Sequence, residues 1–296
     1  MKRGVRHSIK GSNAKAGGMK KLKLIANDVR QDIIRALTEA GSGHSAGSLG
    51  LADVFTALYF GGVLKHNPKK PDWKERDRLF LSNGHVCPAL YTVLANAGYF
   101  PKEELSTLRK FDSRLQGHPS HTEFQLMETS SGPLGLGVAV AAGAAMAGKI
   151  DHKKSRIYCV TSDGEHDEGA TWEAVMFAAK YKLDNLTFIM DRNKIQISGS
   201  TEKVMPLEPL KEKYKAFNWH IIEVNGHDIK AVIKACRDAK KVKNKPTIII
   251  AYTVPGKGVS FMEGKHEWHG KAPTSEQATK ALKELEQERK KILKAK

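Results

Sequence analysis

The chain has 296 residues and a hydrophobic fraction of 40%, which excludes a largely disordered protein and allows one large folded domain or two small ones. Its formal net charge is +17, but the basic excess lies mostly in residues 1–30 and 280–296, a distribution that argues against nucleic-acid binding. We expect no membrane span and no secretory signal, and the three cysteines fit a reducing compartment, the cytoplasm.

Hydrophobic periodicity predicts alternating helices and strands after a basic start. Residues 1–18 lack apolar periodicity and are predicted to form a flexible extension. Helices are predicted over residues 22–40, 51–60, 87–97, 135–148, 168–182 and 275–295, the last being highly charged. Strands are predicted over residues 78–82, 156–161, 186–191, 219–224 and 247–253. This order indicates one α/β domain over residues 19–274, with a parallel sheet and helices on both faces, followed by a charged helix over 275–296.

Four histidines share a setting, since each lies in a loop that contains glycine: His44, His85, His118 and His269. Glycine allows the backbone to approach a ligand closely, and imidazole suits proton transfer and hydrogen bonding to hydroxyls or phosphates. For any single one of them, a structural or surface histidine is the commoner outcome. Four together favour a functional site. Their spacing does not suggest zinc, because no further Cys or His completes a ligand set.

A glycine-rich turn at residues 131–137 leads into the predicted small-residue helix. It could present backbone groups and one apolar side chain, Leu134, to a flat ring. A plain loop between a strand and a helix is equally compatible with this sequence.

Asp163 and Asn193 each follow a predicted buried strand, and the helix over 168–182 separates them. Parallel strands joined by a helix end at the same edge of a sheet, where α/β proteins bind ligands. A carboxylate and an amide oxygen at this edge favour a hard cation that also needs phosphate oxygens. The sequence therefore predicts a magnesium–diphosphate site, although Asp163-Gly164 alone is more often only a turn.

Together these segments resemble the thiamine-diphosphate-binding amino-terminal half of transketolase. The resemblance covers about residues 22–275 and rests on seven motifs in order. They are S-G-H-x-x-G-x-L-G at 42–50, D-R-x-x-L-S-N-G-H at 77–85, G-H-P at 117–119, G-P-L-G-x-G at 132–137, D-G-x-x-x-E-G at 163–169, N-x-I-x-I-x-G at 193–199, and the segment from G-K-G to K-A-P at 256–273. The last is similar especially to transketolases encoded as two separate chains.

The resemblance implies roles at the matching positions. Asp163, the Asn193 side chain and the Ile195 carbonyl would hold Mg²⁺ and the diphosphate. The cofactor would also be bound or lined by these residues: His85, Gly132, Pro133, Leu134, Gly164, Glu168, Ile197. His44, His118 and His269 would contact sugar hydroxyls and assist proton transfer. Glu168 and Glu173 match acids that link two active sites across a dimer, and Ser162 departs from the family's usual glycine.

The resemblance also implies a partner. Transketolases of full length carry a second half that supplies the glutamate that activates the cofactor, and no comparable segment follows Pro273 here. We therefore expect a separate carboxy-terminal subunit, with two copies of each chain, and transfer of a two-carbon ketol unit between sugar phosphates of the pentose phosphate type. The alternatives are another thiamine-diphosphate ketol transferase or synthase, and a non-catalytic cofactor-binding interaction subunit.

Overall fold

A computed structural model describes residues 16–295; most of the predicted extension, residues 1–15, lies outside the described residues. The strands are β1 (Arg78–Leu81), β2 (Ile157–Ser162), β3 (Leu186–Arg192), β4 (Ile195–Gln196), β5 (Gly199–Ser200), β6 (His220–Asn225) and β7 (Thr247–Tyr252). Five of them form one parallel sheet in the order β1-β2-β3-β7-β6, and β4 and β5 form a small antiparallel hairpin. The predicted α/β fold with a parallel sheet is confirmed.

Six of the ten helices in the described residues correspond to predicted segments. The ten helices are α1 (Ala16–Ala40), α2 (Ser45–Gly50), α3 (Ala52–Phe60), α4 (Cys87–Ala97), α5 (Leu136–Ile150), α6 (Gly169–Lys180), α7 (Thr201–Val204), α8 (Leu210–Ala216), α9 (Ile229–Ala239) and α10 (Ser275–Lys294). Helix α1 begins six residues before the predicted start, so three residues of the predicted extension are helical. Helices α2 and α7–α9 had not been predicted. Within the described residues, no helix is long and apolar enough to cross a membrane.

Helices cover both faces of the sheet because consecutive strand side chains point to opposite sides. Tyr158 and Val160 of β2 join the core formed with α1, α3, α4 and α9. Cys159, between them, joins the second core with α5, α6 and α8. Strands β2 and β3 are buried along their whole lengths, which explains their continuous apolar sequences.

The charged helix α10 packs along α1. Its start is fixed by a capping box, in which the Thr274 side chain accepts from the Gln277 backbone and the Gln277 side chain accepts in return. Leu285 faces the core, and the Asn27 side chain of α1 donates to the Leu285 carbonyl at 3.0 Å. The segment that leads into α10 carries His269.

Candidate active site

The four glycine-loop histidines lie together at the carboxyl edge of the sheet. The His44 ring centroid lies 5.1 Å from that of His85, 5.5 Å from that of His269 and 6.0 Å from that of His118. His85 and His269 are also 5.1 Å apart. We call these four side chains the histidine cluster. The loops of His44 and His269 are more than 200 residues apart in the sequence. The sequence could suggest that the four histidines converge, but only the structure shows it.

Close backbone contacts explain the glycines of these loops. A Cβ on Gly84, next to His85, would lie 2.8 Å from Ser131 Oγ and 3.2 Å from the backbone nitrogen of Gly132. A Cβ on Gly132 would lie 4.0 Å from Cδ2 of the His118 ring. The glycine-rich turn at residues 131–137 thus packs directly against the histidine cluster. Because the resemblance implies that this turn lines the cofactor, we call it the cofactor turn.

Burial keeps the histidine cluster neutral. It is the main cause that lowers the pKa of His44 to about 4, followed by the nearby His269, His118 and Arg109. Burial also lowers the pKa of His85 well below its ordinary value and lowers the pKa of His118 and His269. At neutral pH the imidazoles are therefore able to accept protons and hydrogen bonds from hydroxyl groups.

Asp163 and Asn193 lie where the sequence places them, just after β2 and β3. Asp163 is almost completely buried, and its Oδ2 accepts hydrogen bonds from the Lys194 N–H at 2.7 Å and from Arg192 at 3.1 Å. The Asn193 Oδ1 accepts from the Ile195 N–H at 3.0 Å. Burial raises the pKa of Asp163, although the Lys194 N–H, Arg192 and the Gly164 N–H act in the opposite direction.

The donor set at this turn suits magnesium. Among residues 16–295, no group of three or more His, Cys, Asp or Glu side chains is arranged to hold a metal ion. A cation at Asp163 would therefore need the Asn193 amide oxygen, the Ile195 carbonyl and oxygens of a bound ligand, which are the ligands that Mg²⁺ prefers. Asp163 Oδ1 accepts the Gly164 N–H at 2.8 Å and has further lone pairs for a cation. The residues present fit a magnesium–diphosphate group.

Unpaired polar atoms also indicate space for a ligand. Within the described part of the chain, His44 Nδ1, Ser131 Oγ and both polar atoms of the Asn83 side chain are buried without a hydrogen-bond partner. Each such group normally costs about 1–3 kcal/mol. They belong to the loops around the histidine cluster, as expected if a polar ligand satisfies some of them.

The apolar side chains that would line a cofactor are exposed. Leu134 is 36% exposed and Ile197, in the turn between β4 and β5, is 75% exposed. Pro133 and Glu168 are exposed as well. Gly135 has a φ of +80° and packs beside Glu168, since a Cβ on Gly135 would lie 3.0 Å from the Glu168 Cβ. The cofactor turn and the start of α6 therefore form one surface.

Ser162, at the usual glycine position, hydrogen-bonds within its own turn. Its hydroxyl accepts from the Glu165 N–H at 3.3 Å and its carbonyl pairs with His166 Nδ1 at 2.8 Å. The side chain is therefore accommodated by the turn at 162–166.

Glu165 is a site residue that the sequence analysis missed. It is fully buried and accepts from the Ser82 and Thr161 hydroxyls and from the Gly135 N–H at 2.8 Å. These bonds tie the ends of β1 and β2 to the turn that carries Leu134. The sequence around Glu165 does not show that this glutamate is buried, because its hydrogen-bond partners come from three separate segments.

Arg109 was also missed. A Cβ on Gly117 would lie 2.6 Å from Arg109 Nη1, and one on Gly43 would lie 3.7 Å from Arg109 Cδ. The arginine thus packs against the glycines that precede His118 and His44. Its φ of +61° is unusual for a residue other than glycine, but a backbone angle cannot be read from the sequence.

Comparisons with known proteins agree with this geometry. Residues 21–291 match the family described as "Transketolase, thiamine diphosphate binding domain". The chain is 43% identical over 263 residues to the 6-deoxy-6-sulfo-D-fructose transketolase subunit SqwG of Clostridium sp. (strain MSTE9), covering 89% of this chain and 95% of the relative. It is 40% identical over 264 residues to one of the subunits of the apulose-4-phosphate transketolase of Phocaeicola vulgatus, covering 89% of this chain and 93% of the relative.

Solved structures give the same result. The fold matches the transketolase of Campylobacter jejuni with a TM-score of 0.84 and 38% identity, over 90% of this chain but only 42% of that one. The match to the human transketolase sequence likewise covers 92% of this chain and 44% of the relative. The chain therefore belongs to the transketolase family, as a thiamine diphosphate binding domain similar to the subunits of transketolases that are built from separate chains.

Proposed function

We propose that this chain is the cofactor-binding subunit of a two-chain transketolase that transfers a two-carbon ketol unit between sugars with thiamine diphosphate and Mg²⁺. The observation that carries the proposal is the convergence of four neutral histidines with the cofactor turn and the Asp163–Asn193 edge. A subunit that only bound the cofactor would have no need for a cluster of proton acceptors beside it.

Each part of the site has a task in this proposal. Asp163, the Asn193 amide oxygen and the Ile195 carbonyl hold Mg²⁺, and thiamine diphosphate, once bound, supplies the carbanion chemistry that protein side chains lack. His85, Gly132, Leu134 and Ile197 line the cofactor with the other residues of the predicted set. His44, His118 and His269 accept hydrogen bonds from sugar hydroxyls and move the protons that leave them.

We further propose an anionic ketose as the substrate. Of the relatives above, one is named for a sulfonated sugar and the other for a sugar phosphate. Both sugars carry an acidic group, which a basic protein attracts. Anionic ketoses include both the general pentose phosphates and more specialised sugars. The assay below therefore uses one ketose phosphate and one sulfonated ketose.

An exposed apolar face supports a partner. Helices α5 and α6 pack side by side and, with the residue that follows α6, expose a set of large apolar side chains between 38% and 65%: Leu136, Val140, Ile150, Met176, Phe177 and Tyr181. We call this the α5–α6 face. Glu168 and Glu173 lie at the start of α6 and in its exposed surface. Contiguous exposed apolar surface usually marks a protein interface, and we propose that a second copy of this chain binds here within an assembly of two copies of each subunit.

Reconstitution tests the proposed function. The chain is purified alone and assayed for ketol transfer with thiamine diphosphate and Mg²⁺, from a ketose phosphate and from a sulfonated ketose, before and after adding a candidate carboxy-terminal transketolase subunit. We expect activity only in the mixture. Full activity of this chain in a preparation free of any second polypeptide would contradict the proposal.

A matched pair of variants, assembled with the same partner subunit, tests the α5–α6 face. Phe177→Glu places a charge in it and is expected to weaken assembly by about tenfold or more, since buried aromatic residues dominate interface energies. Gln287→Glu places the same charge on exposed α10 and should leave assembly unchanged. Analytical ultracentrifugation separates the two outcomes, and equal assembly of both variants would exclude this face.

A further inference from the structure

Arg192, the last residue of β3, is a buried cation beside the proposed magnesium site. Its side chain is 1% exposed, on a central strand of the sheet. Arginine is almost never fully buried unless it is paired, because removing its charge from water costs several kcal/mol. The partners of this arginine therefore indicate what the burial achieves.

The Arg192 guanidinium joins two separate segments. Its Nη1 donates to Asp163 Oδ2 at 3.1 Å and to Thr201 Oγ1 at 2.8 Å. Its Nη2 donates to one carboxylate oxygen of Glu202 and one of Glu208, both at 2.8 Å. One side chain thus connects the turn after β2 with residues 201–208, which follow the hairpin that carries Ile195 and Ile197.

The two carboxylate oxygens of Asp163 have different hydrogen-bond partners. Oδ2 is occupied by Arg192 and by the Lys194 N–H, whereas Oδ1 accepts the Gly164 N–H. The two hydrogen bonds at Oδ2 fix the orientation of the carboxylate. Oδ1 accepts only one hydrogen bond from the described residues, so it is the oxygen that remains for a cation.

We propose that Arg192 is a positioning residue for the magnesium–diphosphate site: it holds Asp163 by Oδ2 and anchors residues 201–208 behind the Ile195–Ile197 hairpin. This inference rests on the proposed function, because it assigns the cation to Asp163. A merely structural arginine would affect folding stability and leave the cation affinity of the folded protein unchanged.

Calorimetric titration of Mg²⁺ at saturating thiamine diphosphate, on the chain assembled with its partner subunit, tests the inference. We expect Arg192→Met to raise the Kd for Mg²⁺ by about tenfold or more, because a hydrogen-bonded charge that orients the ligand is lost. Arg192→Lys keeps the charge but has no fork to bridge three carboxylates, so it should fall between Arg192→Met and the wild type. Asp163→Ala should abolish binding.

Arg30→Met is the matched control. Arg30 is also buried and paired with a buried aspartate, Asp53, but it lies between α1 and α3 rather than at the proposed cation site. It should lower the melting temperature and leave the Kd for Mg²⁺ unchanged. Circular dichroism establishes that each variant is folded at the titration temperature.

The outcomes separate the inference from the proposed function. If the wild type binds Mg²⁺ and thiamine diphosphate and either folded Arg192 variant binds Mg²⁺ as tightly as Arg30→Met, the positioning role is wrong while the proposed function stands. If the wild type shows no magnesium-dependent binding, the proposed function fails and the inference falls with it.

Discussion

His118 and His269 are two members of the histidine cluster whose proposed partners are sugar hydroxyls. His118 is exposed, and His269 is partly buried and lies in the loop before α10. Neither lies on the Asp163–Asn193 turn. Their contribution should therefore appear in turnover rather than in cofactor affinity.

We expect His118→Ala and His269→Ala to lower kcat by about 10²–10⁴-fold, the usual range for a lost acid–base group. The affinity for thiamine diphosphate should change much less, because the residues that hold the diphosphate are intact. Steady-state kinetics of the assembled enzyme at saturating sugar measures the first quantity, and calorimetry measures the second. His220→Ala, at the opposite edge of the sheet, serves as the control. Near-normal kcat in both cluster variants would make these histidines structural.

At the scale of elements, α10 illustrates how a highly charged helix contributes to the core. Only a narrow apolar strip faces α1, with Ala278, Ala281 and Leu285 buried, and most of the remaining surface is charged or polar. The buried strip stabilises the helix, and the capping box only fixes where it begins.

Leu285→Ala should lower the free energy of unfolding by about 2–5 kcal/mol, because it leaves a cavity between α10 and α1. The same substitution at Leu293, which is 50% exposed on the same helix, should change it by about 0.5 kcal/mol or less. Urea denaturation of the isolated chain provides both values. Equal effects at the two positions would mean that α10 does not dock against α1 in solution.

For the whole molecule, two kinds of buried group change the folding stability in opposite directions as the pH falls. The pKa of His44, His85 and His269 is lowered by burial, and so is that of His166, to about 4. Burial raises the pKa of Asp191 to about 7 and acts in the same direction on Asp163 and Glu165. Acid therefore destabilises the fold through the histidines and stabilises it through these carboxyl groups.

Replacing a single histidine separates these contributions. His44 binds its proton near pH 6.5 when unfolded and near 4 when folded, so between these values the unfolded state binds more protons and stability falls as pH falls. His44→Asn removes this contribution, and we expect its stability relative to the wild type to increase as pH is lowered from about 6.5 to 4. His220→Asn is the control. Urea unfolding across this range measures the difference, and a constant difference for His44→Asn would contradict a buried neutral His44.

The sequence alone determined much of the fold, because local hydrophobic patterns specify which segments become strands and which become helices. The five strands of the sheet were predicted within one residue at each end, and the order of elements implied a parallel sheet. It also indicated where Asp163 and Asn193 would meet, since parallel strands end at one edge. The short helices α7 and α8 escaped prediction because segments of four to seven residues carry too little periodicity.

Tertiary structure alone decided which buried charges belong to the candidate site. Arg192 is paired with Asp163 across two neighbouring strands, and Glu165 draws its partners from three segments. In the sequence both residues look like ordinary charged residues after strands. The free energy of a buried charge depends on partners brought by the fold rather than by chain neighbours, so no local pattern could reveal these roles.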